Sequence, residues 1–97
     1  MERIIIVGVV LTGPNADLVL TELEATLRQR AGPVATLVLR KTAREVNVEK
    51  GSQVTDDQAR ALIDRVHLAL SLIISEHSAL DAAADMRGRM LEMGLDV

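Results

Sequence analysis

The sequence predicts an α+β domain in the order β-α-β-β-α-α: a small sheet of about three strands with two helices at its C-terminal end. Three observations carry that expectation. The run that begins at Ile4 and ends at Leu11 is aliphatic apart from Gly8, and mostly β-branched. Residues 44–50 alternate, with Val46 and Val48 on one side and Glu45, Asn47 and Glu49 on the other. Between Ala16 and Ala31, and again after Thr55, apolar residues instead return every three or four positions, which is the period of a helix.

Residues 4–11 do not alternate, so a strand here is covered on both faces, and Gly8 marks a bulge or a close neighbour. Glu2 and Arg3 precede this run and no small-residue cleavage site follows it promptly; it reads as a strand rather than a secretion leader. The stretch TGPNAD, Thr12 to Asp17, ends the strand. It starts a helix near Pro14 or Asn15 and places the Asp17 carboxylate in the first turn, at the positive end of the helix dipole. Ala16, Leu20, Leu23, Leu27 and Ala31 form one face of that helix, and Gly32-Pro33 stops it.

Residues 34–39 (VATLVL) read as a second strand, joined to the alternating segment 44–50 as a hairpin. The alternative is one long strand over 34–49, kinked at Thr42-Ala43. Gly51-Ser52 is a break. Thr55 with Gln58 three positions on is a capping box. It opens a second helix that runs to about Glu76, with an interruption near residues 76–78. A third helix then reaches about Met93, before Gly94, along the stripe Ala79, Ala83, Met86, Met90 and Met93.

A right-handed strand-helix-strand crossover with the hairpin inserted beside the first strand makes a split β-α-β sheet. This is a ferredoxin-like half-sandwich without its usual last strand, in one domain over residues 1–97. Its architecture is loosely similar to the ACT-type regulatory domains, in which ligands bind near the loop after the first strand. The resemblance is of architecture alone, and it implies regulation through a bound ligand.

The segment VHLALSLII, residues 66–74, is apolar nearly all round a helix. Leu62, Val66, Ala69 and Ile73 make one stripe, Ile63, Leu70 and Ile74 the next, and Leu68 and Leu72 lie beyond both. A small sheet covers one side of such a helix and the third helix a second. The rest needs a partner, most economically a two-fold copy of the same chain. Homo-oligomerisation, as a dimer or higher, is therefore expected through the helix from Leu62 to Ile74 or through the apolar edge strand 4–11.

Composition removes several functions. A net charge of −3 and the absence of Phe, Tyr and Trp argue against nucleic acid, which asks for basic patches and stacking platforms. The same features deny a membrane-surface helix its basic face and aromatic anchor. The apolar runs are far below the roughly 20 residues that span a bilayer, so a cytoplasmic location is expected. Without cysteine there is no disulfide, thiolate metal site or thiol nucleophile.

Two histidines remain, His67 and His77. Asp64, His67 and Ser71 share an arc of about 60° on one helix. A catalytic triad, however, needs the three in line with an oxyanion site. A surface Asp–His pair and a Ser bonded to its own backbone are expected instead. His77, Asp81 and Asp85 form an i, i+4, i+8 row of nitrogen and oxygen ligands. The expected helix break interrupts that row, and acids near a helix start already complement the dipole, so neither a metal nor a cofactor is expected.

The remaining candidate is a ligand site at the strand-to-helix turn, made by Thr12, Gly13, Asn15 and Asp17. Such a turn presents backbone N–H groups at a positive dipole end, although TGPNAD is neither a P-loop nor a dinucleotide-binding fingerprint. Arg40 and Arg44, in a basic cluster with Lys41 and Lys50, complete it. The expected function is a non-catalytic homo-oligomeric regulatory or interaction module that binds a small ligand or a partner protein. The alternative is a small oligomeric enzyme with a site between subunits, built from His67 or His77 and an arginine of residues 40–50.

Overall fold

The computed structural model describes residues 13–97. Among them there is no strand. Four helices follow one another: α1 (Ala16–Ala31), α2 (Val34–Glu45), α3 (Asp56–Ser71) and α4 (Glu76–Glu92). The chain is thus an all-α bundle here, and the α+β, ferredoxin-like and ACT-like expectation is corrected. The expected strand at residues 4–11 lies outside the described residues.

The first correction concerns residues 34–39. They form the first half of α2, which continues through Arg40, Lys41, Thr42 and Ala43 to Glu45. Its buried residues are Ala35, Leu39, Thr42 and Ala43, a spacing of 4, 3 and 1 that belongs to a helix. A short apolar run is ambiguous between strand and buried helix, and the packing of Ala35, Leu39 and Ala43 against the neighbouring helices decides it. Gly32-Pro33 does end α1, with Gly32 at φ 65° and its N–H donating to the Arg28 carbonyl at 3.0 Å. Pro33, at φ −62°, also starts α2, since proline fits the first turn, where its missing N–H is not needed.

The second correction concerns 44–50. Its alternation is the end of α2 rather than a strand. Asn47 takes φ 63°, its N–H donates to the Arg44 carbonyl at 3.2 Å, and the Val48 N–H donates to the Ala43 carbonyl at 2.9 Å. This is a Schellman cap with asparagine in the left-handed position, and Val48 is buried beside Ala43 as that cap asks. α4 ends the same way: Leu95 donates to Met90 at 3.0 Å and Gly94 to Leu91 at 3.1 Å.

The capping box at α3 forms as expected. The Gln58 N–H donates to Thr55 Oγ1 at 3.1 Å and the Thr55 N–H to Gln58 Oε1 at 3.0 Å. Gln58 Nε2 also donates to the Asn47 carbonyl at 3.0 Å, so one side chain starts α3 and holds the end of α2. α3 stops at Ser71, five residues short of Glu76. Ile73 and Ile74 both donate to the Leu70 carbonyl, and Ser75 caps α4 by accepting from the Ser78 N–H at 3.1 Å.

The helices pack in a ring, α1 on α2, α2 on α3, α3 on α4 and α4 on α1. The core between them is aliphatic. Val19, Leu23 and Leu27 of α1 meet Leu39 of α2, Leu62, Ile63, Val66 and Leu70 of α3, and Met86 and Met90 of α4, with alanines at close approaches. Below the helices, residues 13–16 run antiparallel to residues 52–54. The Ala16 N–H donates to the Ser52 carbonyl at 2.8 Å, the Val54 N–H to the Pro14 carbonyl at 2.9 Å, and Asn15 bridges Gln53. No helix among the described residues is long and apolar enough to cross a membrane.

Candidate functional site

The i, i+3, i+4, i+7 spacing of Asp17, Leu20, Thr21 and Glu24 puts all four on one face of α1. That face lines a groove of about 440 Å³ whose other side is Leu39 and Arg40 of α2 and Lys50 of the following loop. Buried Leu39 and half-buried Leu20 make an apolar floor, while Asp17, Thr21, Arg40 and Lys50 are exposed. Glu24 is the most engaged of the charged groups: Thr36 Oγ1 donates to its Oε2 at 2.8 Å, and Arg28 stands 3.6 Å away.

Two of the expected site residues, Asp17 and Arg40, are thus brought together. Others have structural duties. Asn15 is the N-cap of α1, its Oδ1 accepting from Asp17 N–H at 2.8 Å and Leu18 N–H at 3.4 Å. With the Ala16 N–H on Ser52 and the Val19 N–H on the Asn15 carbonyl, the first turn of α1 has no free backbone donor. An anion held by N–H groups alone has nothing to bind to there, and side chains must make any contact. Gly13 sits at φ 74° against Val54. Arg44 is exposed in the last turn of α2 and does not line the groove. Thr12 lies outside the described residues. Leu20, Thr21, Glu24 and Leu39 were missing from the sequence reading of the site. The spacing from Asp17 onward carries the signal for the α1 members. Leu39 had none once residues 34–39 were read as a strand.

A second groove, about 420 Å³, lies between α1 and α4 and is lined by Thr26, Gln29, Arg30, Ala84, Asp85, Gly88, Arg89 and Glu92. Its charges are paired with one another. Arg30 Nε meets Asp85 at 2.6 Å and its Nη1 meets Asp81 at 3.5 Å; Arg89 meets Glu92 at 3.0 Å and Glu22 at 3.6 Å. The hydrogen bond that Arg30 donates to Asp85 raises the Arg30 pKa above its ordinary value; desolvation opposes the rise, and the charges of Asp85 and Asp81 add to it. Gly88 lies within α4, and a Cβ added there meets no atom within 4 Å. Gly88→Ala is therefore expected to stabilise the protein by about 0.5–1 kcal/mol through helix propensity, measured by urea denaturation.

The histidines lie apart from both grooves. His67 Nε2 is 3.3 Å from Glu76 Oε2, not paired with Asp64, and Ser71 Oγ donates to the Leu68 carbonyl at 2.7 Å. The in-line arrangement of a triad does not form. His77 Nε2 stands 3.5 Å from Asp81, but Asp81 and Asp85 face Arg30, so a cation already occupies the row read as possible metal ligands.

The sides of α3 also come apart. Val66 and Leu70 are buried at 0% and 1% exposure, whereas Leu68, Leu72 and Ile73 are 66%, 88% and 52% exposed. Three large apolar side chains therefore face outward within six residues at the α3–α4 corner. Leu18, Leu37, Leu80 and Leu91 are exposed elsewhere.

The chain matches no known protein family, no curated protein and no solved structure at a significant level.

Proposed function

We propose that this protein is a non-catalytic module that associates with copies of itself through the C-terminal end of α3 and offers the α1–α2 groove to a small ligand. The observation that carries the reading is the outward exposure of Leu68, Leu72 and Ile73. Each such side chain gains roughly 1.5–3 kcal/mol when fully buried, and large contiguous apolar patches mark interaction surfaces. A second copy presents the same patch, so one two-fold contact covers both.

The enzyme alternative draws less support. A site between histidine and arginine needs the two to converge, and neither groove contains a histidine. The His77 side chain is 87% exposed on the surface of α4. The α1–α2 groove holds only carboxylates, cations and one hydroxyl over an apolar floor, a set suited to holding a molecule.

Sedimentation velocity tests the reading. The wild-type chain is expected to sediment as a dimer or larger species at micromolar concentration and above. The double variant Leu68→Asp with Leu72→Asp is expected to sediment as a 10.5 kDa monomer that still unfolds cooperatively, because both positions are exposed in the single chain, with a melting temperature lower only by the lost association and no longer dependent on concentration. A wild-type chain that stays monomeric at high concentration sinks the proposal.

A further inference from the structure

We infer that the α1–α2 groove binds a small zwitterion with an aliphatic body, such as a short peptide of leucine-like residues with free ends. The inference rests on the reading of this groove as a ligand site and names the chemistry that fits it.

The groove carries charge of one sign on each side. Asp17 and Glu24 stand on α1, while Arg40 and Lys50 stand opposite, on α2 and the loop after it. Among the described residues, no ion pair within 4.0 Å joins either carboxylate to either cation. Opposite charges that line one groove without touching leave a gap for a molecule that carries both. Glu24 is held by Thr36 and Arg28, so Asp17 is the carboxylate available to an ammonium group. Arg40, with its planar fork of donors, suits a carboxylate, and Lys50 adds a second positive charge.

Between the two sides the floor is Leu20 and Leu39, which takes an aliphatic side chain and rejects a polar one. A volume of about 440 Å³ lies within the usual range for small-ligand pockets, roughly 300–1,000 Å³. A purely anionic ligand meets Asp17 and Glu24, and a purely cationic one meets Arg40 and Lys50. A zwitterion satisfies both sides, and its aliphatic body covers the exposed part of the leucine floor.

Isothermal titration calorimetry with leucyl-leucine tests this. Free leucine, N-acetyl-leucyl-leucine and leucyl-leucine amide serve as comparison ligands. Binding of leucyl-leucine is expected, with about a tenfold or greater loss on capping either end, since 1.4 kcal/mol is a factor of ten. Asp17→Asn is expected to weaken the free-ended peptide by the same factor and to leave the acetylated one unaffected. Arg40→Gln is expected to do the same for the free-ended and amidated pair. Free leucine binding in place of the dipeptide, with the same dependence on Asp17 and Arg40, also supports the charge assignment and shortens the ligand. Capped and free peptides binding equally, or no heat from any of the four, overturns it. The titration repeated on the Leu68→Asp, Leu72→Asp chain separates the two readings: binding retained by a monomer upholds the groove whatever the outcome of sedimentation.

Discussion

Replacing Gly13 by alanine is expected to lower the melting temperature by about 8–40 °C, on a scale of about 4–8 °C per kcal/mol for a domain of this size. Gly13 has φ 74°, and a Cβ built there overlaps the carbonyl oxygen of Val54. An L-residue with a side chain loses about 1–2 kcal/mol in the left-handed region, and forced overpacking adds about 1–3 kcal/mol. The neighbour cannot yield at little cost, because it is backbone. Val54 is fully buried, and its N–H donates to the Pro14 carbonyl at 2.9 Å. Moving its carbonyl also disturbs the adjacent bond from Ala16 to Ser52, which sets the first turn of α1. Circular dichroism melts of wild type and Gly13→Ala decide the matter. A change of less than about 3 °C would show that residues 13–16 and 52–54 do not pack as described.

The second large effect divides two leucines of α3 and the turn after it. Leu70→Ala is expected to cost about 2–5 kcal/mol, the range for emptying a packed core site, because Leu70 is 1% exposed among the buried residues of all four helices. Leu72→Ala, two residues on, is expected to change folding stability by no more than about 0.5 kcal/mol, as surface substitutions do, because Leu72 is 88% exposed. Urea denaturation of each variant in the Leu68→Asp background, at a concentration where sedimentation shows a monomer, isolates the folding term. In the wild-type background Leu72→Ala weakens association instead. Equal costs for the two leucines in the monomeric background would mean that this end of α3 is packed differently.

Three of the four helices were legible in the sequence. The period from Ala16 to Ala31, the Thr55–Gln58 capping box and the Gly94 stop each act within a few residues of where they stand, so local pattern was enough. α2 was not legible, for two physical reasons. Residues 34–39 place β-branched Val34, Thr36 and Val38 between Ala35, Leu37 and Leu39, and such a run is compatible with a strand or a buried helix turn. Beyond them, Val46, Asn47 and Val48 imitate strand alternation because a Schellman cap places an apolar residue, Val48, directly after the left-handed one, and Val46 happens to precede it. The α3 end was misjudged by five residues because Leu72, Ile73 and Ile74 continue the apolar pattern although the chain leaves the helix at Leu72 and Ser75 caps the next.

The candidate site was legible in part. Asp17 and Arg40 were chosen from a turn and a basic cluster, and they do share a groove. Asn15 and Gly13 were chosen for the same turn, but the geometry uses them to hold it closed. Leu20 was visible only as a core residue, since its second role depends on what α2 leaves uncovered.

The sequence by itself determined where α1 and α3 begin and how α1 and α4 end, and that the chain lacks thiols and aromatic stacking surfaces. Capping, helix-stopping and composition are properties of neighbouring residues, and neighbours are given in order along the chain. Only the tertiary structure decided that residues 34–45 are helical, that Leu70 is inside and Leu72 outside, and that Asp17 faces Arg40 across an apolar floor. Those outcomes depend on which face of each helix another helix covers, a relation between segments distant in sequence that no local pattern encodes.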